Sequence, residues 1–175
     1  FEVQYSGSQE GAGFGCFQCL EGNFAVGFMG PRFRDGNFTP YASGFSFNVP
    51  IQDLVDLYEE ADTRKYATIF DIDAFVATRP DVTYNLGSEH TGYFNKKYIP
   101  YADDIVLPDQ NINRSNNYRA IRYSDVLLMA AEANLQASVQ KDNPQDLLDQ
   151  VRDRAFGDPN NRITATLENI LNERK

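Results

Sequence analysis

Arg122, Asp125 and Glu132 stand in the run NYRAIRYSDVLLMAAEA, residues 117–133. Two carboxylates and a guanidinium on one segment can serve either acid–base chemistry or an ion-pair network. Asp125 follows Arg122 by three residues and Glu132 follows Asp125 by seven. On a 3.6-residue helix the three therefore share one narrow polar stripe. As an acid–base pair the carboxylates are badly placed, about 10 Å apart along the axis at roughly 1.5 Å per residue. Arg122 would also hold Asp125 ionised. The preferred reading is structural, with Arg122 fixed by Asp125 or Glu132 and orienting the helix among its neighbours. Removing one partner of a buried pair of this kind costs about 3–5 kcal/mol.

Cys16-x-x-Cys19 has the spacing of half a zinc site or of a redox pair. Zinc as a rule takes four ligands, and His90, the only histidine, lies far off in a polar turn. Two ordinary semi-buried cysteines are expected, with a local disulfide open if the protein faces the outside. The runs DID at 71–73 and DD at 103–104 lack the ligand count and spacing of a calcium loop. They read as solvated turns, so no metal site is expected. The many glycines before residue 50 are followed by no Gly-Lys-(Ser/Thr), which removes a phosphate cradle. Nothing assembles a catalytic set, and no cofactor is expected.

The better lead is aromatic. GPRFRDGNFTPY, residues 30–41, mixes Phe and Tyr with planar polar groups. Sugar rings offer an apolar face to an aromatic ring and hydroxyls to amides, carboxylates and guanidinium groups. Arg32, Arg34, Asp35, Asn37, Phe38 and Tyr41 are the candidate carbohydrate contacts. The competing reading is that the Phe side chains anchor a long loop. The absence of Trp, a favoured sugar platform, weighs toward that second reading.

These residues need elements to hold them. Residues 1–5 alternate as a short strand would, and residues 6–49 are so rich in Gly, Phe and Ser that a long structured loop is expected. A helix begins at Pro50, burying Ile51, Leu54, Val55 and Tyr58. YATIF and GYFNKKYI are short strand-prone runs that suit a small hairpin or edge strands. From Asn117 a helix runs to about Val139, so apolar that it is expected to be enclosed by other helices. A second has Asn143 as N-cap, Pro144 in its first position, Leu147, Leu148, Val151 and Ala155 as its buried stripe and Gly157 as terminator. A third starts near Thr164 and buries Leu167, Ile170 and Leu171. The first two and their turn span nearly 40 residues, close to a tetratricopeptide unit of about 34.

The totals limit the partners. A net charge of −9 argues against nucleic acid and against an electrostatic hold on anionic lipid. No stretch reads as a signal peptide, a lipidation site or a membrane span. Both ends read as interior ones: FEVQY opens on a strand without lead-in, and TLENILNERK closes a helix without a Gly, Asn or Pro stop. The expectation is a piece of a longer protein.

YRAIRYSDVLLMAAEANLQ, NPQDLLDQVRDRAF and ITATLENILNERK, in that order, resemble the SusD/RagB family of surface glycan-binding lipoproteins of Bacteroidetes. The matching residues are Arg122, Tyr123, Asp125, Val126, Leu127, Leu128, Met129, Ala131, Glu132 and Ala133, then Val151, Arg152, Arg154 and Ala155, then Ile170, Glu173 and Arg174. PIQDLVDLYEEADTRKYATIF, TGYFNKKY and FEVQYS resemble upstream segments of that family. This chain has Asp149 or Gln150 where the family carries Asn in its second helix, and it ends where the family continues past Glu-Arg.

The resemblance implies a mainly α fold: a SusD-like, tetratricopeptide-like helical region with a loop-rich first half carrying a few short strands. Residues 1–116 would be the loop-rich part, with one helix near 50–60, and residues 117–175 a helical hairpin plus the start of a third helix. Together they would make one incomplete domain. The implied function is non-enzymatic binding of an oligosaccharide or polysaccharide in an outer-membrane nutrient uptake system, on its extracellular face. The implied partner is a TonB-dependent, SusC-like transporter, and membrane attachment would be through a lipid anchor absent from these residues. A helical protein-interaction scaffold without sugar binding is the alternative. A hydrolase would need facing carboxylates about 5–10 Å apart in a cleft.

Overall fold

The computed structural model describes residues 1–6, 14–15, 21–105, 109 and 111–175. Cys16 and Cys19 lie outside the described residues, and so does their expected semi-buried setting. In chain order the elements are β1 (Glu2–Val3), α1 (Phe24–Phe28), β2 (Arg32–Asp35), α2 (Gln52–Asp56), α3 (Arg64–Thr68), β3 (Ile69–Asp71), α4 (Ile72–Thr78), β4 (Thr83–Asn85), β5 (Tyr93–Asn95), β6 (Tyr118–Arg119), α5 (Tyr123–Gln136), α6 (Pro144–Phe156) and α7 (Leu167–Glu173). The fold is mainly α with short strands. Among the described residues no helix is long and apolar enough to cross a membrane.

The chain divides into two compact units. One comprises Val3–Glu59 and Arg64–Tyr118; the other comprises Phe1–Glu2, Glu60–Thr63 and Arg119–Lys175.

The first unit holds two antiparallel pairs, and one strand of them, β2, lies inside the segment expected to be a structured loop. β2 pairs with β4, with Arg32 opposite Asn85 and Phe33 opposite Tyr84. β3 pairs with β5, with Phe70 opposite Phe94, so YATIF and GYFNKKYI meet only in part: Tyr66–Thr68 are helical in α3 and Lys96–Tyr98 form a 3-10 turn, leaving Ile69–Asp71 and Tyr93–Asn95 as the ladder. Phe33, Phe70, Ile72, Val82, Phe94 and Ile99 form the core. The long Gly- and Phe-rich segment thus contains both α1 and β2, a correction to its reading as loop. β2 escapes local pattern because its partner lies some fifty residues downstream, and the ladder is set by that distant pairing.

The helix expected from Pro50 is shorter than its apolar pattern suggests. Ile51 is extended (φ −83°, ψ 160°) and precedes the first turn, so it stays exposed while Val55 is buried. The DID run is also more than a turn. Asp71 caps α4, its side chain accepting from the Ala74 N–H at 2.9 Å, the ordinary service of Asp at an N-cap.

In the second unit α5, α6 and α7 share one core of Leu127, Leu128, Ala131, Leu148, Val151 and Ile170. α6 has the expected bounds. Asn143 caps it by accepting from the Gln145 N–H, Pro144 opens it, and Gly157 ends it in the left-handed conformation (φ 80°) that a Cβ disfavours. α5 is shorter than the expected 117–139. Residues 118–119 are extended in β6, and Arg122 is the extended cap residue (φ −102°, ψ 147°) before the first turn. Nor is α5 enclosed within this unit, since Tyr123, Val126 and Met129 are exposed. α7 begins after Thr166, whose hydroxyl accepts from the Asn169 N–H. With so few turns only Ile170 reaches the core, and Leu167 and Leu171 remain partly exposed.

Candidate functional site

The residues of β2 separate by face. Phe33 points into the core, where its ring stacks on Phe38 with centroids 4.8 Å apart and planes within 3°. Arg32, Arg34 and Asp35 look outward onto a half-open groove of about 500 Å³, whose other walls are Ser43, Phe45, Asn85 and Asn111. That volume lies in the range of small-ligand sites, about 300–1,000 Å³. Gly44 also lines the groove. A Cβ there would run into the Met29 carbonyl, so the backbone comes this close only with glycine.

The polar groups of the groove are set by short bonds. Arg32 Nε donates to the Phe45 carbonyl at 2.9 Å, which ties β2 to the segment opposite. Arg34 Nη1 donates to Asn85 Oδ1 at 3.1 Å, and Thr83 Oγ1 donates to Asp35 Oδ2 at 2.9 Å. Guanidinium groups, amides and one carboxylate therefore present in-plane donors and acceptors beside the Phe45 ring. Among the described residues, Asp35 is the one carboxylate on these walls.

Of the six residues singled out in the sequence, Arg32, Arg34 and Asp35 come together here. Asn37, Phe38 and Tyr41 are placed differently. Asn37 is occupied in its own turn: its N–H donates to Asp81 and its side-chain oxygen accepts from the Thr39 N–H. Arg79 closes that turn by donating to the carbonyls of Asn37 and Thr39. Tyr41 packs among Phe70, Phe75 and Tyr101, with centroids 4.9–5.7 Å away. Burial, then the neighbouring Tyr101, pushes its phenol pKa up. Ser43, Phe45, Asn85 and Asn111 were missed in the sequence, because nothing local distinguishes them from other polar and aromatic loop residues.

The polar stripe on α5 is real, but its cation is not Arg122. Arg174 reaches across from the end of α7 and pairs with Asp125 at 3.1 Å and Glu132 at 3.0 Å. Arg122 precedes α5 and is exposed, so its side chain does not lie along the helical face that its spacing implies. A second pair, Arg152 with Glu173 at 2.7 Å, is almost fully buried. The Arg152 Nε also donates to the Asn161 carbonyl, and its guanidinium lies 4.7 Å over the Phe156 ring. Five residues from the three helical motifs thus hold α5, α6 and α7 to one another.

A model of the SusD family matches residues 4–175. The chain belongs to the SusD family. Among solved structures, SusD relatives align over 99% of this chain. Surface glycan-binding protein A from Bacteroides thetaiotaomicron, in complex with laminarihexaose, is 27% identical with a TM-score of 0.87. Surface glycan-binding protein A from Bacteroides fluxus is 29% identical with a TM-score of 0.84. A laminarin binding SusD-like protein is 33% identical with a TM-score of 0.82. The chain spans only 36–38% of the length of these structures. No curated protein matches the sequence.

Proposed function

We propose that this SusD-family chain is part of a non-enzymatic glycan-binding component of a SusC/SusD-type nutrient uptake system. In that role it belongs to an outer-membrane lipoprotein facing the cell exterior, which hands oligosaccharide to a TonB-dependent transporter. Arg32, Arg34 and Asp35, with Asn85 and Asn111, make the polar contacts to sugar hydroxyls, and Phe45 supplies an apolar wall. Asn37, Phe38 and Tyr41 then act by holding the segment that carries them.

The groove over β2 is the observation that supports this reading. Planar polar groups fixed by hydrogen bonds stand beside an aromatic ring, and binding such a set to sugar needs no acid, base or nucleophile. Glycoside hydrolysis instead uses two carboxylates facing across the bond, and the described walls of this groove offer Asp35 alone. The exposed Tyr123, Val126 and Met129 on α5 favour a second reading, a helical surface that docks protein without sugar.

Affinity electrophoresis through laminarin gels, with residues 1–175 and the longer protein run side by side, tests the proposal. Retardation of both, reduced by Arg34→Ala and Asn85→Ala, is the expected result. Retardation of the longer protein that these substitutions leave unchanged would move the site out of the groove. Failure of both across a glycan array would favour the docking reading.

A further inference from the structure

Apart in the sequence, His90 and the Asp73 of the DID run offer a metal ion one ligand each. The fold brings both to one phenol. Asp73 lies in the first turn of α4, Tyr84 in the middle of β4, and His90 in the connection from β4 to β5. Tyr84 Oη is 3.4 Å from Asp73 Oδ1 and 3.5 Å from His90 Nε2. Among the described residues no three His, Cys, Asp or Glu side chains gather. Here a tyrosine oxygen is the third donor.

Two readings compete for three polar atoms so placed. One is a hydrogen-bonded chain from carboxylate through phenol to imidazole. An O–H···O bond settles at about 2.7–2.8 Å, and both separations here are well beyond that. The other is a ligand set. Zinc binds imidazole nitrogen and carboxylate oxygen at about 2.0–2.2 Å in a tetrahedron, which puts neighbouring donors about 3.3–3.6 Å apart. Both observed separations fall in that range. Atoms already at hydrogen-bonding distance would have to spread to admit an ion, and these need no such movement.

The surroundings hold the donors in place and favour a cation. Tyr84 stands opposite Phe33 in the β2–β4 ladder. The Ile72 N–H donates to the Gly92 carbonyl at 3.1 Å, which ties α4 to the connection carrying His90. The imidazole packs between the Tyr84 ring, 5.7 Å away, and the Phe94 ring, 6.1 Å away. Asp73 is exposed and the other two are half-buried, so an ion can enter from water. Burial, then the negative charge of Asp73, pushes the Tyr84 phenol pKa up, and a bound cation would reverse that push. A net charge of −9 draws cations rather than anions. Calcium prefers oxygen donors throughout, whereas imidazole suits zinc and its first-row neighbours. We infer that Asp73, Tyr84 and His90 form a binding site for a divalent transition-metal ion of the zinc class, with water in the fourth position. The ion would fasten α4, β4 and the β4–β5 connection together, and β4 carries Asn85 to the groove.

The test is calorimetric titration of the metal-stripped, full-length protein with zinc chloride. The parent is expected to bind one equivalent at this site. Asp73→Asn, which keeps the shape and removes the charge, and His90→Gln should each weaken it at least about tenfold, since even outer-shell partners of a metal ligand are worth about 10–100-fold. Tyr84→Phe should weaken it less. Zinc should raise the melting temperature of the parent but not that of His90→Gln. No uptake by the parent overturns the site. Uptake that Asp73→Asn leaves intact would reduce it to a single surface imidazole. Uptake lost in Cys16→Ser but kept in His90→Gln would put the ion on the thiols, and either result also overturns the inference.

Discussion

Arg174 Nε lies 3.1 Å from Asp125 Oδ1, and the same guanidinium reaches Glu132 3.0 Å away through Nη1. One residue near the end of α7 thus bridges two turns of α5. All three side chains keep roughly a third of their surface accessible, so water screens each contact and neither is worth much alone. Arg174→Ala should lower unfolding free energy by about 1 kcal/mol, while Arg122→Ala should be neutral. Urea denaturation of the two variants checks this. A loss in Arg122→Ala equal to that in Arg174→Ala would restore Arg122 as the working cation.

The Arg152–Glu173 pair obeys different arithmetic because it is buried, with its side chains 3% and 4% accessible. Removing either partner strands the other charge away from water. Arg152→Met or Glu173→Leu alone should cost about 3–5 kcal/mol, and the two substitutions together appreciably less than the two costs added. A double-mutant cycle by urea unfolding measures the difference. Additive losses would mean that the pair is not energetically coupled.

These two clusters mark where local reasoning stops. The α6 boundaries were legible because Asn143, Pro144 and Gly157 act within one or two residues of where they stand. The stripe of Asp125 and Glu132 was legible too, since helical spacing alone aligns them. Its cation was not: Arg174 and Asp125 are brought together by the packing of α7 on α5, and the nearer Arg122 was the natural but mistaken choice. The groove divides in the same way. Arg32, Arg34 and Asp35 are adjacent in the chain, while Asn85 joins them only through the β2–β4 ladder. Phe38 stands among polar residues in the sequence, yet its stack on Phe33 packs it against the core.

Asp153 and Arg162 give the helical unit a pH dependence. Hydrogen bonds from Arg162, at 2.6 and 2.8 Å, hold the Asp153 carboxyl below its ordinary value of 3.8, against a smaller upward push from desolvation. A carboxyl with a depressed folded-state pKa contributes stability above its unfolded value. That contribution is lost as pH falls through the folded value. Asp153→Asn should therefore differ most from the parent at neutral pH and converge with it as the solution is acidified below about 3.8. Melting temperatures taken from pH 7 downward test the sign. Because the pair is exposed, 1 M salt should shrink the difference, and a gap that widens on acidification would contradict the assignment.

Phe38 and Arg34 lie four residues apart and should fail in opposite ways. Phe38 is stacked on the buried Phe33 and packs against the core, so Phe38→Ala leaves a void beside that ring. Full burial would put the loss near 3–5 kcal/mol, and half-burial brings it to about 2 kcal/mol. Its melting temperature should fall by several degrees, with glycan affinity following only as the folded population shrinks. Arg34 is exposed on the groove, bonded to Asn85. Arg34→Ala should leave melting almost unchanged, since exposed substitutions rarely exceed about 0.5 kcal/mol. Losing a charge-assisted donor to a sugar hydroxyl should cost it about tenfold in affinity. Differential scanning calorimetry and titration with laminarihexaose, applied to both variants, separate the two roles. If Phe38→Ala weakened binding at temperatures where it is fully folded, Phe38 would touch sugar directly, and its stack on Phe33 would be only part of its work.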